Sequence, residues 1–382
     1  MNTPVALFGT KHYVRPEPKG KVLVISPWNF PIMLTLRPVV SAIAAGNSVV
    51  VKPSEHTPHC SNIIKRIIED VFRTDEVEVV LGGPEIAAEL TSRPFNHICF
   101  TGGTEIGKKV MRAAAEHLCS VTLELGGKSP VIIDQEVNIR QAASRISWGK
   151  YLNAGQACIA PDYVLVPSNN IEEFVNTVDS SIVKMYGESP MDSLDLGHIV
   201  NEKHYKRILG LINDAVKQGA ELRVPGGILE LPDKINKIAP CILYNCTPEM
   251  SVMQEEIFGP VLVVMGYDSH EHALDIIANN PHPLALYIFS KKRKNVKWFI
   301  DNTKAGSTVV NDVVIQMSNP ELSFGGIQKS GIGRSNGKAG FDSFSNLRSF
   351  VESNNYISTV PLTYPPFSSF TEKLVNTIKR YL

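Results

Sequence analysis

Short, uninterrupted runs of apolar, mostly β-branched residues recur along this chain at intervals too long for hairpins: 22–26 (VLVIS), 48–52 (SVVVK), 77–82 (VEVVLG) and 98–102 (ICFTG). Helical stretches separate them, through residues 39–44, through 63–68 and from about Thr104. A strand that is apolar at every position must be covered on both faces, and parallel neighbours need a crossover long enough to hold a helix. The pattern therefore calls for an α/β fold with a parallel, doubly wound sheet of the nucleotide-binding kind.

A second series follows residues 123–127 (LELGG): a strand at 130–134 (PVIID), a helix from about Ile139, a strand at 162–167 (DYVLVP), and long helices near 171–185 and 204–218. It reads as a second α/β domain. Residues 219–246 look like a loop or hairpin region, 261–267 (VLVVMGY) resumes strand character, and the glycine-rich stretch 318–340 reads as a long irregular segment. At 382 residues the chain has room for two or three domains. Its 38 basic and 38 acidic residues cancel, which excludes a global pull toward nucleic acid or an anionic surface. Six cysteines without a C-x-x-C pair argue for a reducing compartment, and the paired histidines at 56 and 59 and at 270 and 272 have no convergent acids, so no metal site is expected. No secretory signal or spanning segment is read, so the expected location is the cytoplasm.

Several local patterns place polar groups where such sheets bind ligands. Pro27-Trp28-Asn29-Phe30-Pro31 holds an Asn amide at a strand's carboxyl end, and Val51-Lys52-Pro53-Ser54-Glu55 sets a cation and an acid where a nucleotide's ribose would lie. Phe100-Thr101-Gly102-Gly103-Thr104 runs through glycines into a helix start, which suits a pyrophosphate. Each alone is compatible with an ordinary βα turn. Cys158 in Asn153-Ala154-Gly155-Gln156-Ala157-Cys158 is sharper, because Gly155 permits close backbone approach and polar residues flank an apolar stretch; the other five cysteines read as small core hydrophobes. Gly331-Ile332-Gly333-Arg334-Ser335-Asn336-Gly337 mimics a dinucleotide fingerprint, but with no strand before it reads as a loop, and Lys291-Lys292-Arg293-Lys294 reads as a solvated turn.

PWNFP, VVKPSE, FTGGTEIG, LELGGKSP, GQAC, EEIFGP (255–260) and FGGIQKSGIG (324–333) occur in the order and approximate spacing of the NAD(P)-dependent aldehyde dehydrogenase superfamily. The chain resembles that family from about residue 10 to residue 364. ISPWNFP, GQACIAPDYVLV, VNDVV and the Tyr364-Pro365-Pro366 tail are most similar to its class 3, fatty-aldehyde members. The resemblance implies the aldehyde dehydrogenase fold: a Rossmann-like cofactor domain over residues 1–124, an α/β catalytic domain over 125–316, and a return segment, oligomerisation arm and tail over 317–382. It implies Cys158 as nucleophile, Glu124 as the base that activates water, and the Asn29 amide as an oxyanion donor. It further implies a cofactor site of Lys52, Glu55, Gly103, Thr104, Gly126, Glu256 and Phe258, holding NAD, with NADP weaker.

The implied reaction oxidises medium- to long-chain aldehydes to carboxylic acids through a cysteine thioester. The implied assembly is a homodimer. Fewer residues precede Pro27 than is usual in the family, so an N-terminally truncated form is expected; an inactive isoform acting only as a subunit is the alternative reading, which an NAD-binding assay separates. Gln316 falls where related enzymes often have His, which bears on chain-length preference. Phe370, Leu374, Val375, Ile378, Tyr381 and Leu382 recur at helical spacing among Lys373, Lys379 and Arg380, a basic amphipathic stripe that packs on protein or rests peripherally on a membrane.

Overall fold

The computed structural model describes residues 7–230, 236–357, 359, 361 and 364–379. In it the apolar runs become the strands of two largely parallel sheets. The first holds β2 (Lys21–Ile25), β3 (Ser48–Lys52), β4 (Val77–Val79), β5 (His97–Thr101) and β6 (Ser120–Glu124) in the order β6-β5-β2-β3-β4. A short antiparallel strand, β14 (Gly331–Ile332), closes its edge with Gly331 opposite Glu124. Connecting these strands are α1 (Pro31–Ala44), α2 (Pro58–Val71), α3 (Pro84–Thr91) and α4 (Thr104–Ala115). The first three start on a proline, whose fixed φ and missing N–H suit a helix's first position. Val39 and Ala42 of α1 and Ile64 and Ile68 of α2 cover one face of the sheet, and Val110 and Ala114 of α4 cover the other. Burial from both sides is what the unbroken apolar runs require.

The second sheet orders β13 (Ser307–Val310), β12 (Ala285–Phe289), β7 (Pro130–Ile133), β8 (Tyr163–Pro167), β11 (Val261–Tyr267), β10 (Cys241–Tyr244) and β9 (Glu221–Arg223), with only the β9–β10 pair antiparallel. It is flanked by α5 (Ile139–Tyr151), α6 (Ile171–Tyr186), α7 (Glu202–Lys217), the short α8 (Ser251–Gln254), α9 (His270–Ala278) and α10 (Arg293–Asn302). Residues 20–344, which also include α11 (Gly337–Ser343), form one compact unit.

The described residues of 1–19 and 345–382 form a second unit. Its centre is an antiparallel pair, β1 (Thr10–Pro18) with β15 (Ser345–Ser353), in which Tyr13 stacks on Phe350 at 5.0 Å. The C-terminal stripe forms α12 (Ser369–Ile378), started by a capping box between Ser368 and Thr371, with Phe370 and Val375 exposed. Arg380, Tyr381 and Leu382 lie outside the described residues. No helix among the described residues is long and apolar enough to cross a membrane.

Three local expectations are refined. β4 stops at Val79, because Gly82 takes a φ of +154° and Pro84 starts α3. Only the first part of the 291–294 run is a turn, for Arg293 and Lys294 open α10. The 331–337 stretch is no plain loop: Gly331 and Ile332 pair with β6, and α11 starts at Gly337.

Candidate active site

Cys158 is carried by a turn that few sequences can make. After α5, Asn153, Ala154 and Gly155 follow one another at φ values of 51°, 52° and 73°. A Cβ on Gly155 would lie 2.1 Å from the Gly259 carbonyl oxygen, so glycine is required where the turn crosses the EEIFGP segment. Gln156, buried beneath, donates to the carbonyls of Asn153 (3.1 Å) and His198 (3.0 Å) and accepts from the Val200 N–H (3.0 Å). The Asn29 amide donates to the Gln156 carbonyl (3.0 Å), and the Asn29 carbonyl accepts from the Asn153 amide (2.9 Å). These bonds lace the loop after β2 to the loop that presents the thiol.

Cys158 and Glu124 line one cleft, together with Ser335, Thr101 and the apolar Leu34, Pro38, Met317 and Phe324. Glu124 ends β6. One of its oxygens accepts from the Ser335 hydroxyl at 2.8 Å, and the other is buried without a hydrogen-bond partner among the described residues. Burial pushes its carboxyl up to about 8, against the pull of Ser335 and Arg334. Burial also pushes the Cys158 thiol up to about 12, with the charges of Glu256 and Glu124 adding to it and the N–H groups of Cys158 and Ile159 opposing it. The sulfur therefore rests as a thiol beside a carboxyl poised near neutrality, an arrangement suited to proton transfer between nucleophile, base and water.

The residues expected to hold a cofactor occupy the carboxyl ends of the first sheet's strands and the segment Glu256–Phe258. Lys52, buried, pairs with Glu55 at 2.6 Å. Burial would raise the Glu55 carboxyl, but the hydrogen bond and charge of Lys52 outweigh it and hold the group below the usual carboxylate range. Gly103 precedes α4 in extended backbone with no side-chain cap, and a Cβ there would meet nothing within 4 Å, so the helix's first N–H groups stay open to an anion. Thr104 bonds the Lys329 carbonyl at 3.1 Å. A Cβ on Gly126 would lie 1.8 Å from a Glu256 carboxylate oxygen, so this glycine makes room for that acid. Burial and then Asp162 push the Glu256 carboxyl up to about 8, while the Gly127 N–H pulls it back. Phe258, at a φ of 49°, meets Trp28 edge-on at 5.4 Å. Gln316 donates to the Tyr287 hydroxyl (3.3 Å), which itself donates to the Ile159 carbonyl (2.5 Å) next to the nucleophile.

Sequence reasoning missed the supports. Lys128, inside LELGGKSP, is buried; it bonds Asp162 (3.1 Å) and the carbonyls of Val252 (2.8 Å) and Glu255 (3.0 Å). Lys150, also buried, lies 3.8 Å from Asp162, and burial pushes it down to about 8. Arg207 donates to the carbonyls of Glu256 (3.1 Å) and Ile257 (2.5 Å). Together they clamp the segment that carries Glu256 and Phe258. A buried lysine has no sequence signature of its own; Ser335 had one, its place in the glycine-rich 318–340 stretch.

Comparison with known proteins gives the family. A family model described as "Aldehyde dehydrogenase family" matches residues 2–350. The chain is 41% identical to the 4,4'-diaponeurosporen-aldehyde dehydrogenase of Staphylococcus aureus, over 92% of this chain and 75% of that protein. It is 43% identical to aldehyde dehydrogenase family 3 member A2 of Rattus norvegicus (93% and 72% covered) and 42% identical to the dimeric NADP-preferring aldehyde dehydrogenase of Mus musculus (93% and 77%). Among solved structures, substrate-bound Staphylococcus aureus AldH superposes with a TM-score of 0.92 at 38% identity, covering 99% of this chain and 81% of that one. A Mycobacterium tuberculosis aldehyde dehydrogenase complexed with NAD+ superposes at 0.83 and 31% identity, covering 92% and 74%.

Proposed function

This chain belongs to the aldehyde dehydrogenase family, and we propose that it oxidises aliphatic aldehydes of medium to long chain to carboxylic acids with NAD, through a thioester on Cys158. The observation that carries the reading is the shared cleft of Cys158 and Glu124, in which a buried carboxylate oxygen has no hydrogen-bond partner among the described residues.

The sulfur of Cys158, once deprotonated, adds to the aldehyde carbon, and the carbonyl oxygen becomes an oxyanion received by the Asn29 amide and the Cys158 N–H. Donors so arranged contribute about 3–4 kcal/mol in comparable sites. When bound, NAD would supply the acceptor for a hydride from the same carbon, and loss of that hydride would leave a thioester on Cys158. Ionised Glu124 then takes a proton from water as the water oxygen adds to the thioester carbon. The C–S bond breaks, the sulfur recovers a proton, and the acid departs.

Lys52 and Glu55 would hold the adenine ribose, Gly103, Thr104 and the start of α4 the pyrophosphate, and Glu256, in the room left by Gly126, the nicotinamide ribose, with Phe258 beside the ring. Glu55 meets a ribose hydroxyl as an acceptor and a 2′-phosphate as a like charge, so NAD is preferred and NADP is the weaker cofactor. Leu34, Pro38, Met317 and Phe324 in the cleft support an apolar substrate chain. A homodimer is the proposed assembly, supported by the mouse relative's name. Exposed Phe370 and Val375 on α12, beside Lys373, support peripheral contact with anionic membrane. NADH formation by the purified chain across aldehydes of increasing length tests the reading. Turnover that improves with chain length is expected; bound NAD without turnover of any aldehyde would overturn it.

A further inference from the structure

The two parallel sheets share one piece of topology. In the first, the chain leaves β2 through α1 for β3 on one side and leaves β5 through α4 for β6 on the other, so its connections diverge between β2 and β5. Open α/β sheets bind ligands outside the carboxyl ends of the strands at such a divergence, and the proposed cofactor site lies there. The second sheet repeats the device. β7 leads through α5 to β8, its neighbour β12 leads through α10 to β13 in the opposite direction, and the divergence falls between β7 and β12. Ile139 and Ile146 of α5 pack in one core and Phe299 of α10 in the other, on opposite faces of the sheet.

At that second divergence lies a cavity of about 650 Å³, within the range that holds small ligands. It shares no lining residue with the Cys158 cleft. Its charged lining consists of Arg145, Lys291 and Arg293, with no carboxylate among the lining residues. Arg145 is fixed in place by the Asn311 carbonyl and by Asp312 at 3.6 Å. Lys292 and Lys297 pair with Glu136 and Asp301, each at 2.6 Å, whereas Lys291 and Arg293 have no ion-pair partner among the described residues.

Neither α5 nor α10 has an acid in its first turn; Arg140 and Arg293 stand there instead. The Asn138 side chain caps α5, accepting from the Gln141 N–H at 3.1 Å, whereas α10 has no side-chain cap. Cations at the positive end of a helix oppose its dipole. A dianion seated between the two helix starts turns that opposition into attraction. Phe289 and Val296 are among the apolar residues of the lining.

We propose that this crevice is a second ligand site, which takes a small phosphate ester with a compact apolar body. The phosphate lies against Arg145, Lys291, Arg293 and the uncapped start of α10, and the body lies on Val296 and the edge of Phe289. The test is calorimetric titration of the full chain saturated with NAD, so that the cofactor crevice is filled, using phenyl phosphate in one arm and inorganic phosphate in the other. Phenyl phosphate should bind at one equivalent per chain, more tightly than inorganic phosphate, and the double variant Lys291→Glu/Arg293→Glu should weaken it at least tenfold. Lys297→Glu, on the same helix outside the cavity, should leave binding unchanged. No saturable binding, or binding that survives the double reversal, overturns the site; equal affinity for the two probes overturns the apolar contact.

Discussion

Ser335 and Glu124, 211 residues apart, are joined by a 2.8 Å hydrogen bond from the serine hydroxyl to one carboxylate oxygen. The pairing of β14 with β6 brings them together, with Gly331 opposite Glu124. Because Ser335 favours the charged form, Ser335→Ala should raise the Glu124 carboxyl further. A hydrogen bond to a charged group is worth about 1.5–3 kcal/mol, or roughly one to two pH units. The ascending limb of the pH–rate profile should move to higher pH by that amount, and an unmoved limb would separate Glu124 from the observed titration.

In the intact chain, Glu124 acts as a base only when ionised, so steady-state turnover should rise with pH through about 8. Glu124→Gln should lose that limb and slow thioester hydrolysis more than its formation, leaving a burst of about one NADH per site before turnover stalls. Stability runs the opposite way. The folded carboxyl holds its proton more tightly than the unfolded one, so the native chain loses stability as pH climbs from the ordinary carboxylate range through about 8. Chemical denaturation of Glu124→Gln over that range should show the loss removed.

Gly126→Ala places a methyl group where the Glu256 carboxylate lies, 1.8 Å from one oxygen. The flexible acid can swing aside, so the fold should persist while the KM for NAD rises roughly tenfold, about 1.4 kcal/mol. Steady-state kinetics with varied NAD decide it, and an unchanged KM would remove Glu256 from the cofactor site.

Asp162→Asn leaves Lys128 and Lys150 buried against a neutral amide. Loss of one member of a buried ion set costs about 3–5 kcal/mol. Urea denaturation should register that loss, and a change below about 1 kcal/mol, typical of an exposed pair, would contradict the clamp described for the Glu256 segment.

Much of the scaffold was legible because its signal is local. Unbroken runs such as Ser48–Lys52 announce a doubly covered strand, and Pro31 and Pro58 sit at helix starts, as proline's geometry favours. Of the candidate site, the turn that Gly155 allows before Cys158 was legible in its own motif. Ser335 and Asp162 were not legible as partners, because each acts through contacts far along the chain. Nor could a pattern of letters reveal that Lys150 is buried, or that Gly331, inside an apparent fingerprint, is the strand partner of Glu124.

The claim on which the rest depends is that Cys158 is the nucleophile. Its most direct test is aldehyde-dependent NADH formation by the intact chain and by Cys158→Ala, with NAD binding measured in parallel on both. Cys158→Ala should bind NAD as the intact chain does and form no NADH above background. NADH formation by Cys158→Ala at a rate near that of the intact chain would contradict that assignment.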